Sequence, residues 1–207
     1  MTTNPDSLLQ VWFGEDLDTP EAVFSRARAW FAGDESFDSV IRQQFGTLPD
    51  RALRGDLSIW RETPRSTLAL VITLDQLPRN LFRGTPHAFA YDSAALDLAH
   101  WALSREVDSQ LHPVEAAFVY LPLEHSEDLA LQVRCVALFR ALIERAPSPV
   151  LEQFISFLSY AERHHAVIER FGRFPHRNHI LGRSSTPEEL RYLKEGGETF
   201  SGAEGAA

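Results

Sequence analysis

The chain has 207 residues, of which 44% are hydrophobic and 24% charged, so it is long enough to bury a sizeable core in one domain. Twenty basic residues against 29 acidic ones give a net charge of −9, which argues against a general nucleic-acid-binding or anionic-membrane-binding surface. Cys135 is the only cysteine, which excludes an internal disulfide, and its apolar neighbours predict a buried small residue rather than a nucleophile.

Helical patterns begin close to the N-terminus. Residues 1–16 contain no basic region followed by a long apolar run, so no signal peptide is predicted and a cytoplasmic protein is expected. The first predicted helix covers 19–31, where a capping threonine precedes Pro20 at the first helical position. The second covers 63–78 and is apolar on nearly all sides, which predicts a central helix that Pro78 ends. No apolar run in the chain is long enough for a transmembrane helix.

The C-terminal half continues the helical pattern with longer segments. Apolar spacing predicts helices over 92–103, 126–145 and 149–172. Ser126 and the two acids after it indicate the start of the second of these, and Gly172 is predicted to end the third.

A last helix is predicted over 185–196. Thr186 and Glu189 have the spacing of a capping box, and Gly196 is a typical helix stop. We expect one helical domain over 1–195 and a flexible tail over 196–207, which is small and polar.

The predicted fold class is all-α. No segment alternates apolar and polar residues over a length that predicts a convincing strand, and the helix signals amount to roughly eight to ten helices. Their succession suits an array of antiparallel helical hairpins, although no strict repeat is present.

The first of three polar segments interrupts this pattern at 74–92. Asp75 lies in the last turn of an apolar helix, where a negative charge opposes the helix dipole and needs a partner. Arg79 and Arg83 follow it closely. They form either a structural ion pair at the helix end or a pair that points an arginine at a carboxylate or phosphate ligand.

The second polar segment is 120–130. Ser126 and its two acidic neighbours are explained as the cap and first turn of the next helix. Glu124 and His125 lie just before that helix and are not explained by capping. The pair is interpreted either as a general acid/base unit, since histidine titrates near neutrality, or as a tie between a loop and its neighbour.

The third polar segment, 170–183, holds four arginines, two histidines and an asparagine. Phe171 and Phe174 are predicted to anchor it in the core. His176, Arg177 and Asn178 are costly to bury without partners, so they either complete a buried network or face a pocket.

Metal and cofactor chemistry has little support in the sequence. Glu162 and His165 have the spacing of a helical dimetal site, but the second such pair is missing, and His165 is interpreted as a core histidine. No phosphate-binding loop, dinucleotide fingerprint or nucleophile elbow is present. Neither a metal nor a cofactor is expected.

The three polar segments, "LDQLPRNLFRGTPHAFAYD", "YLPLEHSEDL" and "RFGRFPHRNHILGRSSTPEE", resemble the bacterial domain-of-unknown-function family 924. "VWFG" and "WFAGDESFDSVIRQQFG" near the N-terminus extend the resemblance, which covers about residues 7–195. It implies a right-handed array of tetratricopeptide-like helical hairpins and no assigned activity. It places a motif histidine at His164 rather than His165. The motif positions it implies are Asp75, Gln76, Arg79, Asn80, Arg83, Glu124, His125, Ser126, Glu127, Asp128, His164, Arg173, His176, Arg177 and Asn178.

Two hypotheses about function remain open. The first is a site that binds, and in its sharper form turns over, a small anionic metabolite. In it Glu124, His125 and His176 are the candidate acid/base residues, and the ligand-binding candidates are Asp75, Arg79, Asn80, Arg83, His164, Arg173, Arg177 and Asn178. The second is an interaction module whose groove receives a carboxylate-ended peptide. A third alternative is that the three polar segments form one buried structural network. We predict that 74–83, 120–128 and 172–178 meet in space, because the first two carry acids and the first and third carry bases. No binding to nucleic acid or membrane is expected. The sequence does not specify an oligomeric state.

Overall fold

The computed structural model describes residues 4–31 and 33–200. Within them the chain forms eleven α-helices and five short 3₁₀ turns, and no strand is present in this described part. The predicted all-α class is confirmed. The arrangement is compatible with tetratricopeptide-like hairpins, which stay a prediction, as do the domain limits.

Four helices form the N-terminal part: α1 (Pro5–Phe13), α2 (Pro20–Phe31), α3 (Glu35–Phe45) and α4 (Leu48–Leu53). The predicted helix 19–31 is thus confirmed. An aromatic cluster joins these helices to the centre of the molecule, with the Trp30 ring 4.8 Å from that of Phe118. Such edge-to-face pairs stabilise a core beyond the area that they bury.

The central helices are α5 (Pro64–Asp75), α6 (Leu77–Leu81), α7 (Asp92–Ser104) and α8 (Pro113–Glu124). Helix α5 is buried along residues 67–75, as its apolar sequence predicted. Its predicted end at Pro78 is wrong, because the helix stops at Asp75 and Pro78 lies in the first turn of α6. Proline is tolerated there because the backbone N–H groups of a first turn have no partner within the helix. The short helix α6 therefore places Arg79 beside the end of α5.

Helix α8 is a second buried helix. Residues 120–124, predicted to break the helical pattern, instead form its last turn, with Pro122 inside the helix. Helix α8 is buried over 114–124 and so carries Glu124 into the interior. His125 is its C-terminal cap residue and begins the connection to the next helix.

The C-terminal part contains α9 (Leu129–Ile143), α10 (Leu151–Phe171) and α11 (Pro187–Lys194). Helix α9 starts later than predicted, because Asp128 is its cap and accepts hydrogen bonds from the backbone N–H groups of residues 130 and 131. Gly172 ends α10 with a φ of 68°, as predicted. Cys135 in α9 is fully buried, also as predicted.

Two further predictions concern membrane-spanning helices and the C-terminal tail. No helix in the described part of the chain is both long and apolar enough to cross a membrane. Residues 201–207 of the predicted flexible tail lie outside the described residues. Residues 197–200 are described and run back along α10, where Glu198 accepts hydrogen bonds from Arg163.

Candidate functional site

The three polar segments meet where the C-terminal ends of α5 and α8 approach the loop after α10. Asp75 ends α5, and its Oδ1 atom lies 2.8 Å from Nδ1 of His125. Arg177, in the loop, donates from Nη1 to the carbonyl oxygen of His125 at 2.9 Å. The expectation that the three segments meet in space is therefore confirmed.

Asp75 is buried, with only 1% of its surface exposed, and every nearby group favours its ionised form. Gln76 donates from Nε2 to Oδ2 at 2.6 Å, and Nη1 of Arg79 lies 3.6 Å from Oδ1. Burial opposes the charge of this carboxyl, but His125 and Arg79 outweigh it and hold the pKa of Asp75 well below its usual range. The residue is therefore a fixed carboxylate.

His125 is oriented by that carboxylate. Burial lowers the pKa of His125, and the positive charge of Arg79 lowers it further, so the imidazole is neutral near pH 7. Beside an ionised Asp75, the Nδ1 proton is donated to the carboxylate and Nε2 is left as the basic nitrogen. This arrangement suits a general base, because the geometry and the tautomer are both fixed.

Two arginines flank the His125–Asp75 pair. Arg79 donates from Nη1 to the backbone carbonyl of Asp75 at 2.6 Å and to Asp92 Oδ1 at 2.9 Å. The guanidinium of Arg177 lies 4.2 Å from the centre of the Phe174 ring. Burial lowers the pKa of Arg177 to about 10, and the neighbouring charge of Arg79 contributes to that shift. Two cations, the partly buried Arg79 and the buried Arg177, thus lie near a neutral histidine.

Glu124 and His164 form a second layer behind His125. Oε1 of Glu124 lies 3.3 Å from Nδ1 of His164, which donates to the carbonyl of Tyr160 at 2.9 Å. Burial, with a smaller contribution from Asp75, raises the pKa of Glu124 to about 8, so this carboxyl is protonated at neutral pH. Burial holds the pKa of His164 well below its usual range.

His176 completes the cluster on the loop side. Its ring lies between Phe174 and the end of the described chain, with a 5.7 Å separation between the His176 and Phe174 ring centres. Burial lowers the pKa of His176 to about 3, and Arg177 contributes to the same direction. The side chain is therefore neutral and has a ring nitrogen free to accept or donate.

Unpaired buried atoms are concentrated in this cluster. Among residues 4–31 and 33–200, seven buried side-chain nitrogen or oxygen atoms have no hydrogen-bond partner, and four of them lie here. These four are Arg79 Nη2, Glu124 Oε2, His176 Nδ1 and Arg177 Nε. Because folded proteins pair nearly all buried polar atoms with protein groups or ordered water, this concentration marks the cluster as the candidate site.

Four predicted site residues are used elsewhere. Asn80 donates from Nδ2 to Asp38 Oδ1 at 2.7 Å, and Arg83 reaches the same carboxylate at 3.1 Å, beside α3. Arg173 and Asn178 both donate to Glu189 of α11. These contacts fix α6 and the loop, and the four residues lie outside the cluster around His125.

Glu127 was interpreted as a first-turn helix acid, and this is wrong. Its Oε1 accepts the backbone N–H of Phe174 at 2.8 Å, and Arg183 forms a two-pronged pair with both of its oxygens, at 2.6 and 2.9 Å. Sequence reasoning also missed Asp92, which accepts from Arg79. Asp92 opens a predicted helix, so its charge had a sufficient local explanation.

The helical spacing that singled out His165 is corrected by the structure. His164 lies on the buried face of α10, whereas His165 is partly exposed and Glu162 pairs with Arg140 at 2.7 Å on the surface. Across the described ranges, no group of three or more histidine, cysteine, aspartate or glutamate side chains is arranged to hold a metal ion.

Two surface clefts of about 310 and 240 Å³ lie between α2 and α3 and beside Trp101, and residues of the cluster line neither of them. The approach to His164 is instead covered by Phe200, whose ring stacks on the imidazole at 3.5 Å.

Comparison with known proteins gives a family and one solved relative. A family model described as "bacterial protein of unknown function (DUF924)" matches residues 8–197. The structure of a protein of unknown function, ATU0120 from Agrobacterium tumefaciens, is similar with a TM-score of 0.77 and 37% identity. The similarity covers 92% of this chain and 97% of that one. A search of curated proteins gives no significant match.

Proposed function

We propose that the cluster around His125 binds a small anion and exchanges a proton with it. The chain belongs to the DUF924 family of bacterial proteins of unknown function. The observation that carries the proposal is the pair of unsatisfied buried donors, Arg79 Nη2 and Arg177 Nε, beside a histidine fixed by Asp75. Burial disfavours the charge of Arg177 and lowers its pKa, so an approaching anion stabilises that cation.

The arginines supply the binding. A hydrogen bond to a charged group contributes about 1.5–3 kcal/mol, so two new ones are worth a considerable part of a metabolite's affinity. Asp92 accepts from Nη1 of Arg79, and its other oxygen lies 3.9 Å from Nη1 of Arg177, which leaves Arg79 Nη2 and Arg177 Nε without partners in the described chain. A carboxylate or phosphate oxygen fits such donors, because it accepts several hydrogen bonds at once.

His125 and Glu124 supply the proton chemistry. His125 is neutral and accepts a proton at Nε2, and the imidazolium that results is stabilised by Asp75. Glu124 has a pKa of about 8 and holds a proton that no neighbouring acceptor takes from Oε2. A base and an acid with opposite shifts in one cluster are typical of proton-transfer sites.

Anion binding is tested by thermal unfolding in inorganic phosphate and in acetate. An anion at a hundred times its dissociation constant stabilises by about 2.7 kcal/mol, which raises the melting temperature by roughly 5–11 °C for a chain of this size. We expect this rise in the wild type and its loss in Arg177→Met. Arg170→Met is the control, because Arg170 forms an exposed pair with Glu188. An equal rise in Arg177→Met and the wild type contradicts the proposal.

The proton step is tested by calorimetry of acetate binding at pH 7 in buffers of different ionisation enthalpy, because acetate, unlike phosphate, is fully ionised at that pH. An anion next to His125 raises the pKa of that histidine, so the wild type is expected to take up a proton on binding. His125→Gln is expected to bind acetate with no proton uptake. Uptake that is unchanged in this variant assigns the proton to another group and refutes the role of His125.

A further inference from the structure

The chain after α11 is directed back toward the cluster by two glycines. Gly196 has a φ of 83°, which a residue with a side chain rarely adopts. At Gly197 a Cβ atom would lie 2.5 Å from Cε1 of Tyr192, so only glycine fits against that ring. Glu198 is then held by Arg163, which donates from Nε at 2.6 Å, and by Tyr192, whose hydroxyl accepts the Glu198 N–H at 2.8 Å.

These contacts deliver Phe200 to a slot with three ring walls. Its ring lies 3.5 Å from that of His164 with an angle of 18° between the planes. Phe174 and His176 each lie 5.8 Å away and present tilted or edge-on faces. Phe200 itself has a φ of 50°, a strained conformation for a bulky residue.

Phe200 fills the slot but forms no hydrogen bond with the polar atoms around it. Nδ1 of His176 is buried and has no partner among the described residues, and the same is true of Oε2 of Glu124 on the far side of His164. A hydrocarbon ring offers neither a donor nor an acceptor. A core contact selected only for stability would leave no such atoms unpaired beside a strained backbone.

We propose that His164, Phe174 and His176 form a subsite for the planar aromatic ring of the ligand, and that Phe200 occupies this subsite in the free protein. This subsite rests on the proposed anion site, and the two together select an aromatic anion as the ligand. Its charged group lies toward Arg177 and its ring on His164. Polar substituents on that ring reach the atoms that Phe200 leaves unpaired. Binding displaces the 198–200 segment and releases the strain at Phe200.

The experiment compares three probes on the wild type and Phe200→Ala: inorganic phosphate, phenol and phenyl phosphate. Removing the competing ring is expected to tighten phenol and phenyl phosphate binding on the order of tenfold, the scale of one aromatic contact, and to leave phosphate binding unchanged. Glu198→Gln loosens the same segment without altering the slot and is expected to give a smaller gain in the same direction. Phe24→Ala, which removes an exposed ring on α2, is the control and is expected to bind like the wild type.

The probes separate failure of this inference from failure of the anion site. Phenol binding that is equal or weaker in both Phe200→Ala and Glu198→Gln overturns the aromatic subsite, whatever phosphate does. Phosphate that binds to none of the proteins, together with tighter phenol binding in Phe200→Ala, refutes the anion site and supports the subsite.

Discussion

Arg173 and Arg177 lie four residues apart in one loop, and their surroundings are opposite. Arg173 grips Glu189 with two nitrogens, at 2.6 and 2.8 Å, and also donates to the carbonyl of Ser184. Arg177 makes one hydrogen bond, to the carbonyl of His125, and its Nε has no partner in the described chain. The hydrogen bonds of Glu189 raise the pKa of Arg173, whereas burial lowers the pKa of Arg177.

The loop therefore has two parts, which we call the fixed side, around Arg173 and Asn178, and the poised side, around His176 and Arg177. On the fixed side, Glu189 collects Arg173, Asn178 and the backbone N–H of Thr186. On the poised side, Nδ1 of His176 and Nε of Arg177 have no hydrogen-bond partner among the described residues, although Nη1 of Arg177 donates to the His125 carbonyl and lies 3.9 Å from Asp92 Oδ2. One side stabilises the fold, and the other keeps polar groups buried and unsatisfied next to His125.

The largest effect is expected from removing the acceptor of the fixed side. Glu189→Ala removes the buried acceptor shared by Arg173, Asn178 and the Thr186 N–H, while Arg173 keeps its bond to the Ser184 carbonyl. Losing these hydrogen bonds to a charged acceptor costs about 3 kcal/mol, so the melting temperature should fall by roughly 6–12 °C. Glu188→Ala is the control, since its exposed pair with Arg170 is worth less than about 1 kcal/mol. Similar melting temperatures for the two variants would remove the distinction between fixed and exposed pairs.

The second-largest effect concerns the pH dependence of stability that Glu124 produces behind His125. The pKa of Glu124 rises from 4.5 to about 8 on folding, so its stability contribution is complete below pH 4.5 and is lost as pH rises through 8. In urea unfolding, Glu124→Gln should gain on the order of 2–3 kcal/mol over the wild type between pH 5 and pH 8, since each pH unit contributes at most about 1.4 kcal/mol.

Glu127→Gln is the control for that measurement. Burial opposes the charge of Glu127, but Arg183 prevails and lowers its pKa, so its contribution is already complete at pH 5 and is lost only toward lower pH. Its difference from the wild type should be constant between pH 5 and pH 8. A constant difference for Glu124→Gln as well would contradict a protonated Glu124.

The third prediction compares the two arginines directly. Arg173→Met leaves the buried Glu189 with two fewer charged donors and should lower the free energy of unfolding by more than Arg177→Met does. Arg177→Met keeps the packing against Phe174 and loses one hydrogen bond, so its cost should stay below about 1 kcal/mol. Chemical denaturation of both variants measures the comparison. A larger loss for Arg177→Met would make both sides of the loop structural.

The smallest effect is expected at His176. His176→Phe keeps a ring of similar size and removes the unpaired Nδ1 atom, so stability at pH 7 should be unchanged or rise by at most about 1 kcal/mol. Melting curves of His176→Phe and the wild type at pH 7 measure this difference. A clear fall in melting temperature shows that a partner of His176 stabilises the fold.

Sequence reasoning performed best where the cause is local. Thr186 and Glu189 form the predicted capping box, and Gly172 ends α10, because both depend on residues within one turn. It was less accurate where a residue has a local and a distant option. Glu127 looks like a helix-start acid, yet it pairs with Arg183, 56 residues away.

The arginines show the same limit. Nothing in the spacing of Arg79 and Arg83 distinguishes the one beside His125 from the one beside Asp38. Likewise, apolar periodicity favoured His165, and only the resemblance to a family placed the buried histidine at His164. The identity of a partner depends on how helices dock, which single-sequence patterns do not encode.

The His125 contacts also set an order of events during folding. His125 meets Asp75 across 50 residues and Arg177 across 52, so neither contact belongs to a single hairpin. Long-range contacts require their loops to close first and therefore form late. During synthesis, Asp75 and His125 are both made before Arg177, and Phe200 follows later still. An incomplete chain therefore contains both residues of the His125–Asp75 pair without the ring that covers His164.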